Sequence, residues 1–276
     1  MVDPSESTVI TVISGVSRGL MERADACLVV TYGAELGRRY VLDRPEMVIG
    51  RSRGCDILLE QDSTSRRHAV IRITAGGYQV QDMGSTNGTC VNDESVSDCR
   101  LKDGDELRLG RTVMRFIAGD ELEKKYRECL VAIAHTDGLT GAMTEPAFQE
   151  ALSDESARAR RYDRWLSLVI LDLDGWDDYA EQAGRIYSDL RLRRIAKLIQ
   201  EKLRTSDILA RISEARFAIL LPETDAEQVA GYVERVGELI AEELDGLKLG
   251  VGCHAARSDA CVDNEFWREA QQGFRV

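Results

Sequence analysis

Between Ile49 and Thr89 the chain carries three polar segments: Gly50-Arg51-Ser52-Arg53, Ser65-Arg66-Arg67-His68 and Ser85-Thr86-Asn87-Gly88. Short runs rich in apolar residues separate them, among them Ile57-Leu58-Leu59 and Tyr78-Gln79-Val80. Such runs, bounded by glycine and polar clusters, are typical of short β-strands joined by loops. The stretch therefore predicts a β scaffold whose loops carry the binding chemistry.

The residue types on these loops suit a phosphorylated ligand. Two of the loops hold the arginines Arg51, Arg53, Arg66 and Arg67. A guanidinium group donates paired hydrogen bonds that match the geometry of a phosphate. Ser65 and Thr86 add hydroxyl groups, and Asn87 adds an amide that suits a peptide backbone.

The order Gly-Arg, then Ser-x-x-His, then Asn-Gly resembles a forkhead-associated (FHA) domain, over roughly residues 27–118. That family is a β-sandwich that reads phosphothreonine in a partner peptide. The resemblance implies that Arg51 and Ser65 hold the phosphate and that Arg66 assists. It further implies that Thr86 and Asn87 bind the peptide main chain, and that His68 braces the loop carrying Ser65.

Length and composition limit the remaining choices. A chain of 276 residues fits two domains better than one. The net charge of −12, from 36 basic and 48 acidic residues, argues against a general nucleic-acid-binding protein. The seven cysteines form no C-x-x-C pair, which favours reduced thiols in the cytoplasm. With no visible signal peptide and no apolar run of spanning length, we expect no membrane association.

Residues 1–24 form a polar tail with Thr8 and Thr11 as candidate phosphothreonines for a Ser/Thr protein kinase. Asp3 and Glu6 precede Thr8. Phosphorylation would add charge and acceptor oxygens that an arginine pocket captures. Two interpretations stay open: a tail that binds an FHA domain, in the same molecule or in a partner, and an ordinary disordered N-terminus.

After a first domain over residues 25–118, residues 119–136 predict a linker helix. Leu122, Tyr126, Cys129 and Ile133 follow at steps of four, three and four, with charged residues between them. This spacing gives a narrow apolar seam of the coiled-coil type. The seam suits either a second copy, which would make a homodimer, or the helix's own domain, and the pattern leaves both open.

Residues 137–276 form the second predicted domain. Asp137-Gly138-Leu139-Thr140-Gly141-Ala142 resembles the opening motif of GGDEF domains, the diguanylate cyclase family. Further resemblance lies in an apolar strand ending at Asp172 and Asp174, a helix from about 186 to 204, and a hairpin of residues 208–212 and 217–221. The fold class is therefore α+β with two domains, an FHA β-sandwich followed by a ferredoxin-like α/β palm.

The GGDEF resemblance is degenerate where the family's enzymes perform catalysis. Their Gly-Gly-acid-Glu-Phe turn reads here Ser213-Glu214-Ala215-Arg216-Phe217, which removes a metal carboxylate and adds a cation. Asp177 replaces the family's phosphate-binding lysine, and Ala180 replaces its guanine-reading asparagine. Mg²⁺ needs hard anionic oxygens, so we expect no metal site, no catalytic residues and no cofactor. The alternative is a weak diguanylate cyclase gated by the FHA domain.

One family site is retained in the sequence. Arg204-Thr205-Ser206-Asp207 stands at the offset of the family's inhibitory site for cyclic di-GMP, and Arg235 matches a second arginine of that site. The structural alternative is that Asp207 caps a helix end and Arg204 is a solvated charge. The sequence thus predicts a non-catalytic adaptor that binds phosphothreonine. Its second domain would bind cyclic di-GMP, dimerise or contact another protein.

Overall fold

The computed structural model of the protein describes residues 25–257 together with Trp267 and Ala270. The chain divides into two compact units, Met1–Val131 and Ala132–Val276. The tail of residues 1–24, with its candidates Thr8 and Thr11, lies outside the described residues. Each unit has its own sheet system and its own core.

The first unit consists of two β-sheets. Its strands are β1 (Ala26–Tyr32), β2 (Arg39–Val41), β3 (Glu46–Gly50), β4 (Ile57–Leu58), β5 (Ala69–Thr74), β6 (Gly77–Asp82), β7 (Thr89–Val91), β8 (Glu94–Val96), β9 (Asp98–Arg100), β10 (Glu106–Leu109) and β11 (Thr112–Ala118). One sheet has the order β2-β1-β11-β10-β7-β8, and the other has the order β4-β3-β5-β6-β9.

The two sheets share one apolar core, so the unit is a β-sandwich. Leu28, Leu107 and Phe116 of the first sheet and Ile49 and Ile71 of the second belong to the same buried cluster. Each such side chain contributes about 1.5–3 kcal/mol when it is fully buried. This packing holds β3 and β5 in place, and the loops at their ends carry the predicted phosphate-binding residues.

Helix α1 (Leu122–His135) begins shortly after β11. The Tyr126 hydroxyl donates to the Gly37 carbonyl at 3.1 Å, and the Arg39 guanidinium lies 5.1 Å from the centre of the Tyr126 ring. Cys129 is buried, and Lys125 donates to Asp103 at 2.7 Å. Within the first unit, the seam of this helix therefore packs on its own domain.

The second unit is one five-stranded sheet with helices. Its elements are β12 (Met143–Thr144), α2 (Glu145–Tyr162), β13 (Trp165–Asp174), α3 (Trp176–Ala183), α4 (Arg185–Gln200), β14 (Ile208–Arg211), β15 (Arg216–Pro222), α5 (Ala226–Leu244) and β16 (Lys248–Arg257). The sheet order is β12-β14-β15-β13-β16, with β13 antiparallel to both of its neighbours.

Alternation along β13 builds the core of this unit. Leu166, Leu168 and Ile170 pack in one cluster with Phe148 and Leu152 of α2. Helix α5 contacts β13 and β16. The predicted α+β fold class is confirmed. Among the described residues, no helix has both the length and the apolar character needed to cross a membrane.

Helix α4 ends at Gln200, four residues before the predicted end at Arg204. The N–H of Lys202 bonds to the Ile199 carbonyl at 3.0 Å, and the N–H of Leu203 bonds to the Gln200 carbonyl at 3.2 Å. These bonds span three residues rather than four, so the chain tightens into 3₁₀ turns and leaves the helix.

Candidate functional site

Backbone hydrogen bonds hold two of the polar loops of the first unit together. The N–H of Arg51 donates to the Ser65 carbonyl at 3.0 Å, and the N–H of Ser52 donates to the Arg66 carbonyl at 3.1 Å. A Cβ atom on Gly50 would lie only 2.4 Å from the Arg66 carbonyl oxygen, so the approach requires glycine. Arg51, Ser65 and Arg66 are thereby placed on adjoining backbone.

The third loop joins the same surface through Ser65. The N–H of Thr86 donates to Ser65 Oγ at 3.0 Å, and the two side-chain hydroxyls lie 3.4 Å apart. Asn87 Nδ2 donates to the Ser63 carbonyl at 2.7 Å. An amide has two N–H donors and a carbonyl acceptor, so Asn87 keeps capacity for a peptide ligand. The five predicted binding residues therefore belong to one connected group of loops.

His68 is fully buried beneath these loops. Its Nδ1 accepts the Ser65 N–H at 3.1 Å, and its Nε2 lies 3.0 Å from the Gly88 carbonyl oxygen. A carbonyl only accepts, so Nε2 carries the proton and the ring is neutral. Burial lowers the pKa of His68 from its usual value of 6.5, which keeps Nδ1 free to accept.

Acidification should destabilise the first unit through His68. Its folded pKa lies below the unfolded value, so the unfolded state binds more protons in this range. The stabilising contribution is complete above about pH 6.5 and is lost as the pH falls through the folded-state pKa. We expect this dependence in urea unfolding of the intact protein, followed by circular dichroism between about pH 5 and pH 8.

The matched variants for this pH dependence are His68→Gln and His135→Gln, since His135 is exposed. The first should remove part of the pH dependence, and the second should leave it unchanged. An identical pH dependence in the wild type and in His68→Gln would contradict the assignment of His68.

Asp82 shapes the third loop. Its carboxylate accepts the N–H groups of Gly84 and Ser85 at 2.8 and 2.9 Å, and the Thr89 hydroxyl at 2.7 Å. Burial alone would raise its pKa, but the hydrogen bonds from Ser85, Thr89 and Gly84 outweigh burial and hold the pKa below 3.8. Asp82 is therefore an internal brace whose charge is used within its own loop.

In the second unit, the carboxylate that ends the central strand is paired with a cation of the same chain. Asp172 and Arg216 are direct cross-strand neighbours on β13 and β15. Arg216 Nε donates to Asp172 Oδ2 at 2.9 Å, and a second guanidinium nitrogen bonds to the same oxygen. Ala215, where the family places a metal carboxylate, is buried. No group of three or more His, Cys, Asp or Glu in the described part of the chain is arranged to hold a metal ion.

The opening motif of this unit is bonded to the turn of residues 213–217. Asp137 Oδ1 accepts the Thr140 N–H at 2.9 Å and the Thr140 hydroxyl at 2.6 Å. Arg211 Nη1 lies 3.3 Å from both Asp137 oxygens, and Arg211 Nη2 donates to the Glu214 carbonyl at 2.7 Å. Arg211 therefore ties the opening motif to the turn, which makes Asp137 structural here.

A cavity of about 840 Å³ brings together the three residues predicted to bind cyclic di-GMP. Arg204, Asp207 and Arg235 all line it, with Tyr232 one helical turn before Arg235 on α5. Asp207 Oδ2 accepts the Arg204 N–H at 2.8 Å, which fixes the loop between them. Since α4 ends at Gln200, this contact belongs to a turn, and the alternative of a helix cap at Asp207 is wrong.

Tyr232 has an unusual environment. Its hydroxyl oxygen is buried and has no hydrogen-bond partner among the described residues. Burial raises the pKa of this phenol above its usual value of 10, and the neighbouring charge of Asp207 adds to the effect. The cavity wall therefore holds an unused hydrogen-bonding group beside the three charged residues.

Comparison with known proteins finds both of the predicted domains. The profile of the FHA domain matches residues 47–110, and that of the diguanylate cyclase GGDEF domain matches residues 134–251. An oxoglutarate dehydrogenase inhibitor of Corynebacterium jeikeium is 40% identical over 103 residues, covering 37% of this chain and 71% of the relative. The chain belongs to the FHA family and carries a GGDEF domain after its FHA domain. Both predicted family memberships are confirmed.

A second FHA relative is the glycogen accumulation regulator GarA of Mycolicibacterium smegmatis. It is 41% identical over 107 residues, which cover 39% of this chain and 66% of the relative. The chain thus spans slightly less than two thirds of that regulator's length. The names of these relatives therefore concern only the FHA part of the chain.

The GGDEF domain has a structural neighbour in the coiled coil and GGDEF domain of DgcB from Caulobacter crescentus, solved in complex with c-di-GMP. The two align with a TM-score of 0.51 and 23% sequence identity, covering 55% of this chain and 84% of that chain. At this identity the likeness concerns the fold alone.

Several residues that build these sites are absent from the sequence predictions. Gly110 and Ser63 meet so closely that a Cβ on Gly110 would lie 2.4 Å from the Ser63 carbonyl oxygen, and Gly110 also has a positive φ of 61°. No local pattern indicates this pairing across the sandwich. Tyr232 could have been found, since it precedes Arg235 by three residues and shares its helix face.

Proposed function

We propose that this protein is a non-catalytic signalling adaptor. In this proposal the FHA domain binds a phosphothreonine peptide, and the GGDEF domain is degenerate and receives cyclic di-GMP or contacts another protein. The observation that carries the proposal is a contrast between the two domains. The phosphate-binding loops are assembled around Ser65, whereas Asp172 is neutralised by Arg216.

The phosphopeptide role is supported by charge that the protein does not use itself. Arg51 and Arg66 are exposed and make no ion pair with a described carboxylate. A phosphothreonine carries nearly two negative charges at neutral pH and three acceptor oxygens. Paired donation from two guanidinium groups, with the Ser65 hydroxyl between their loops, matches that group. Titration of the intact protein with a phosphothreonine peptide and its unphosphorylated twin tests the role, and binding of the first alone is expected.

The lack of catalysis is supported by the chemistry at the turn. A Mg²⁺ ion at Asp172 would have to displace a guanidinium that already donates two hydrogen bonds to one carboxylate oxygen. Ala215 supplies no oxygen ligand from its side chain, and Mg²⁺ binds through carboxylates and substrate phosphates. Asp177 adds negative charge where the family's lysine would meet a phosphate.

The second candidate is a weak diguanylate cyclase gated by the FHA domain. The GGDEF fold itself favours it, together with two acids that match the family pattern: Asp172 at the strand end, and Asp189 at the position of the family's second guanine contact. Turnover of GTP distinguishes the two candidates.

A receptor role for the GGDEF domain is supported by the cavity. Arg204 and Arg235 supply two cations, and Asp207 supplies an acceptor for base edges. Helix α5 is fixed at its start, because Asp225 accepts the Gln228 N–H at 2.9 Å and Gln228 bonds back to the Asp225 N–H. The cavity wall is therefore positioned before any ligand arrives.

If cyclic di-GMP binds this cavity, Arg204→Ala should weaken binding at least about tenfold, because a charge-assisted contact to the phosphate is lost. Isothermal titration calorimetry with cyclic di-GMP measures the change. Arg185→Ala is the matched control, since Arg185 is exposed and does not line the cavity. Equal loss in both variants would contradict the assignment, and the phosphopeptide affinity should be unchanged in both.

The N-terminal tail completes the proposal. A Ser/Thr protein kinase would phosphorylate Thr8 or Thr11, and the phosphothreonine would then occupy an FHA domain of the same molecule or of a partner. The named FHA relatives are a glycogen accumulation regulator and an oxoglutarate dehydrogenase inhibitor, and a regulatory role for this protein is consistent with those names. Linkage would raise the local concentration of the tail to roughly millimolar where the linker reaches. Titration with a tail phosphopeptide tests the idea.

A further inference from the structure

The FHA loops carry more positive charge than one phosphothreonine needs. The exposed arginines of the two joined loops are Arg51, Arg53, Arg66 and Arg67. Within the part of the chain that the structure describes, none of them forms an ion pair. Arg51 and Arg66 are the pair proposed for the phosphate, which leaves Arg53 and Arg67 without an assigned partner.

The nearby carboxylates do not neutralise this surplus. Asp56, in the same loop as Arg53, accepts from Arg44 Nη1 at 2.5 Å and from the Val48 N–H at 2.9 Å. Asp82 is used within its own loop, as described above. Asp62 is exposed and makes no ion pair among the described residues. The surplus charge is therefore available to a ligand, and guanidinium groups on two joined loops suit a second anionic group.

Hydrogen bonds join the three FHA loops to one another. Asn87 bonds to Ser63, and Thr86 bonds to Ser65. The loop of Ser52 and Cys55 then bonds to the Arg66 carbonyl, with Cys55 Sγ at 3.2 Å. Arg53 and Arg67 therefore stand on the same two joined loops as Arg51 and Arg66. A ligand group that meets Arg53 and Arg67 would therefore be close in sequence to the phosphothreonine.

We propose that Arg53 and Arg67 form a second anionic subsite, which selects phosphothreonine peptides with an acidic side chain shortly before the phosphothreonine. This inference rests on the proposed phosphopeptide function and names its ligand class. The chain's own tail has this pattern, with Glu6 two residues before Thr8. Two extended residues span about 7 Å, so an acidic side chain at that position stays near the phosphothreonine.

The test uses the intact protein and a peptide of residues 1–14 phosphorylated at Thr8, with a Glu6→Gln twin. We expect the Glu6→Gln peptide to bind about fivefold more weakly, the upper range for one exposed charge pair. Arg53→Gln and Arg67→Gln together should weaken the parent peptide by the same factor and leave the twin's affinity unchanged, as a double-mutant cycle requires. Arg100→Gln, which replaces an exposed arginine on β9, is the control and should preserve the fivefold preference.

A second pair of phosphothreonine peptides of unrelated sequence, with Glu or Gln two residues before the phosphothreonine, gives the result independently of the tail. Equal affinities within both pairs would overturn the subsite, and so would a preference that survives the double substitution. If no phosphothreonine peptide binds at all, both the proposed function and the subsite are refuted. Preference in the unrelated pair alone would support the subsite and remove the tail as its occupant.

Discussion

Replacing Arg51 by alanine is expected to weaken phosphothreonine-peptide binding at least ~30-fold, corresponding to a loss of ~2 kcal/mol or more. The reason is that a guanidinium fork donating to a phosphate dianion is both charge-assisted and bidentate. Alanine leaves one part of the dianion without a donor, and the remaining Arg66 and Ser65 cannot supply the missing geometry. Isothermal titration calorimetry with a phosphothreonine peptide measures the loss.

Two further variants serve as controls for Arg51→Ala. Asn87→Ala should weaken binding less than Arg51→Ala, because Asn87 would contact peptide main chain rather than the phosphate. Arg100→Ala removes an exposed arginine of the same domain and should leave affinity unchanged. The Arg51 side chain is exposed, so the thermal unfolding midpoint of the Arg51→Ala variant should match that of the wild type. Unchanged peptide affinity in Arg51→Ala would refute the placement of the phosphate.

The FHA loops were predictable because their chemistry lies in side chains whose order along the chain is visible. Arg51, Ser65 and Asn87 stand in three separate motifs, and the residue types of each motif indicate which ligand group it suits. The contacts that join the first two motifs are between backbone groups. The close approach of Gly50 to the Arg66 carbonyl depends on the pairing of β3 with β5, which a linear pattern does not contain.

In the GGDEF domain too, the sequence predicts residue types but does not predict which residues are in contact. The replaced residues Ala215 and Arg216 could be read directly, and they predict an altered turn. That Arg216 meets Asp172 follows only from the antiparallel register of β13 and β15. Likewise, the spacing of Cys129 and its neighbours defines an apolar seam but does not say what covers it. The contact of Tyr126 with Gly37 supplies that information.

The unmodified protein is expected to form no detectable cyclic di-GMP from GTP, with Mg²⁺ or with Mn²⁺. Catalysis by this fold requires a metal that orients the nucleotide and stabilises the developing charge on the phosphate. Here Arg216 occupies the carboxylate of Asp172, and the side chain of the buried Ala215 has no oxygen that could bind a metal. Chromatographic separation of the nucleotides after incubation with GTP tests this, with an active diguanylate cyclase assayed in parallel.

The double substitution Ala215→Glu and Arg216→Glu separates the metal defect from the substrate defect. It removes the guanidinium from Asp172 and adds two carboxylates at the turn, which favours a divalent cation. Turnover should nevertheless stay undetectable, because Asp177 repels the phosphates and Ala180 cannot hydrogen-bond guanine. If the double variant is active and the unmodified protein is not, the substitutions at the turn account for the entire loss of catalysis. Activity in the unmodified protein would refute the non-catalytic adaptor and favour the gated cyclase. Formation of product from GTP would mean that the metal and substrate sites work despite the Arg216–Asp172 pair.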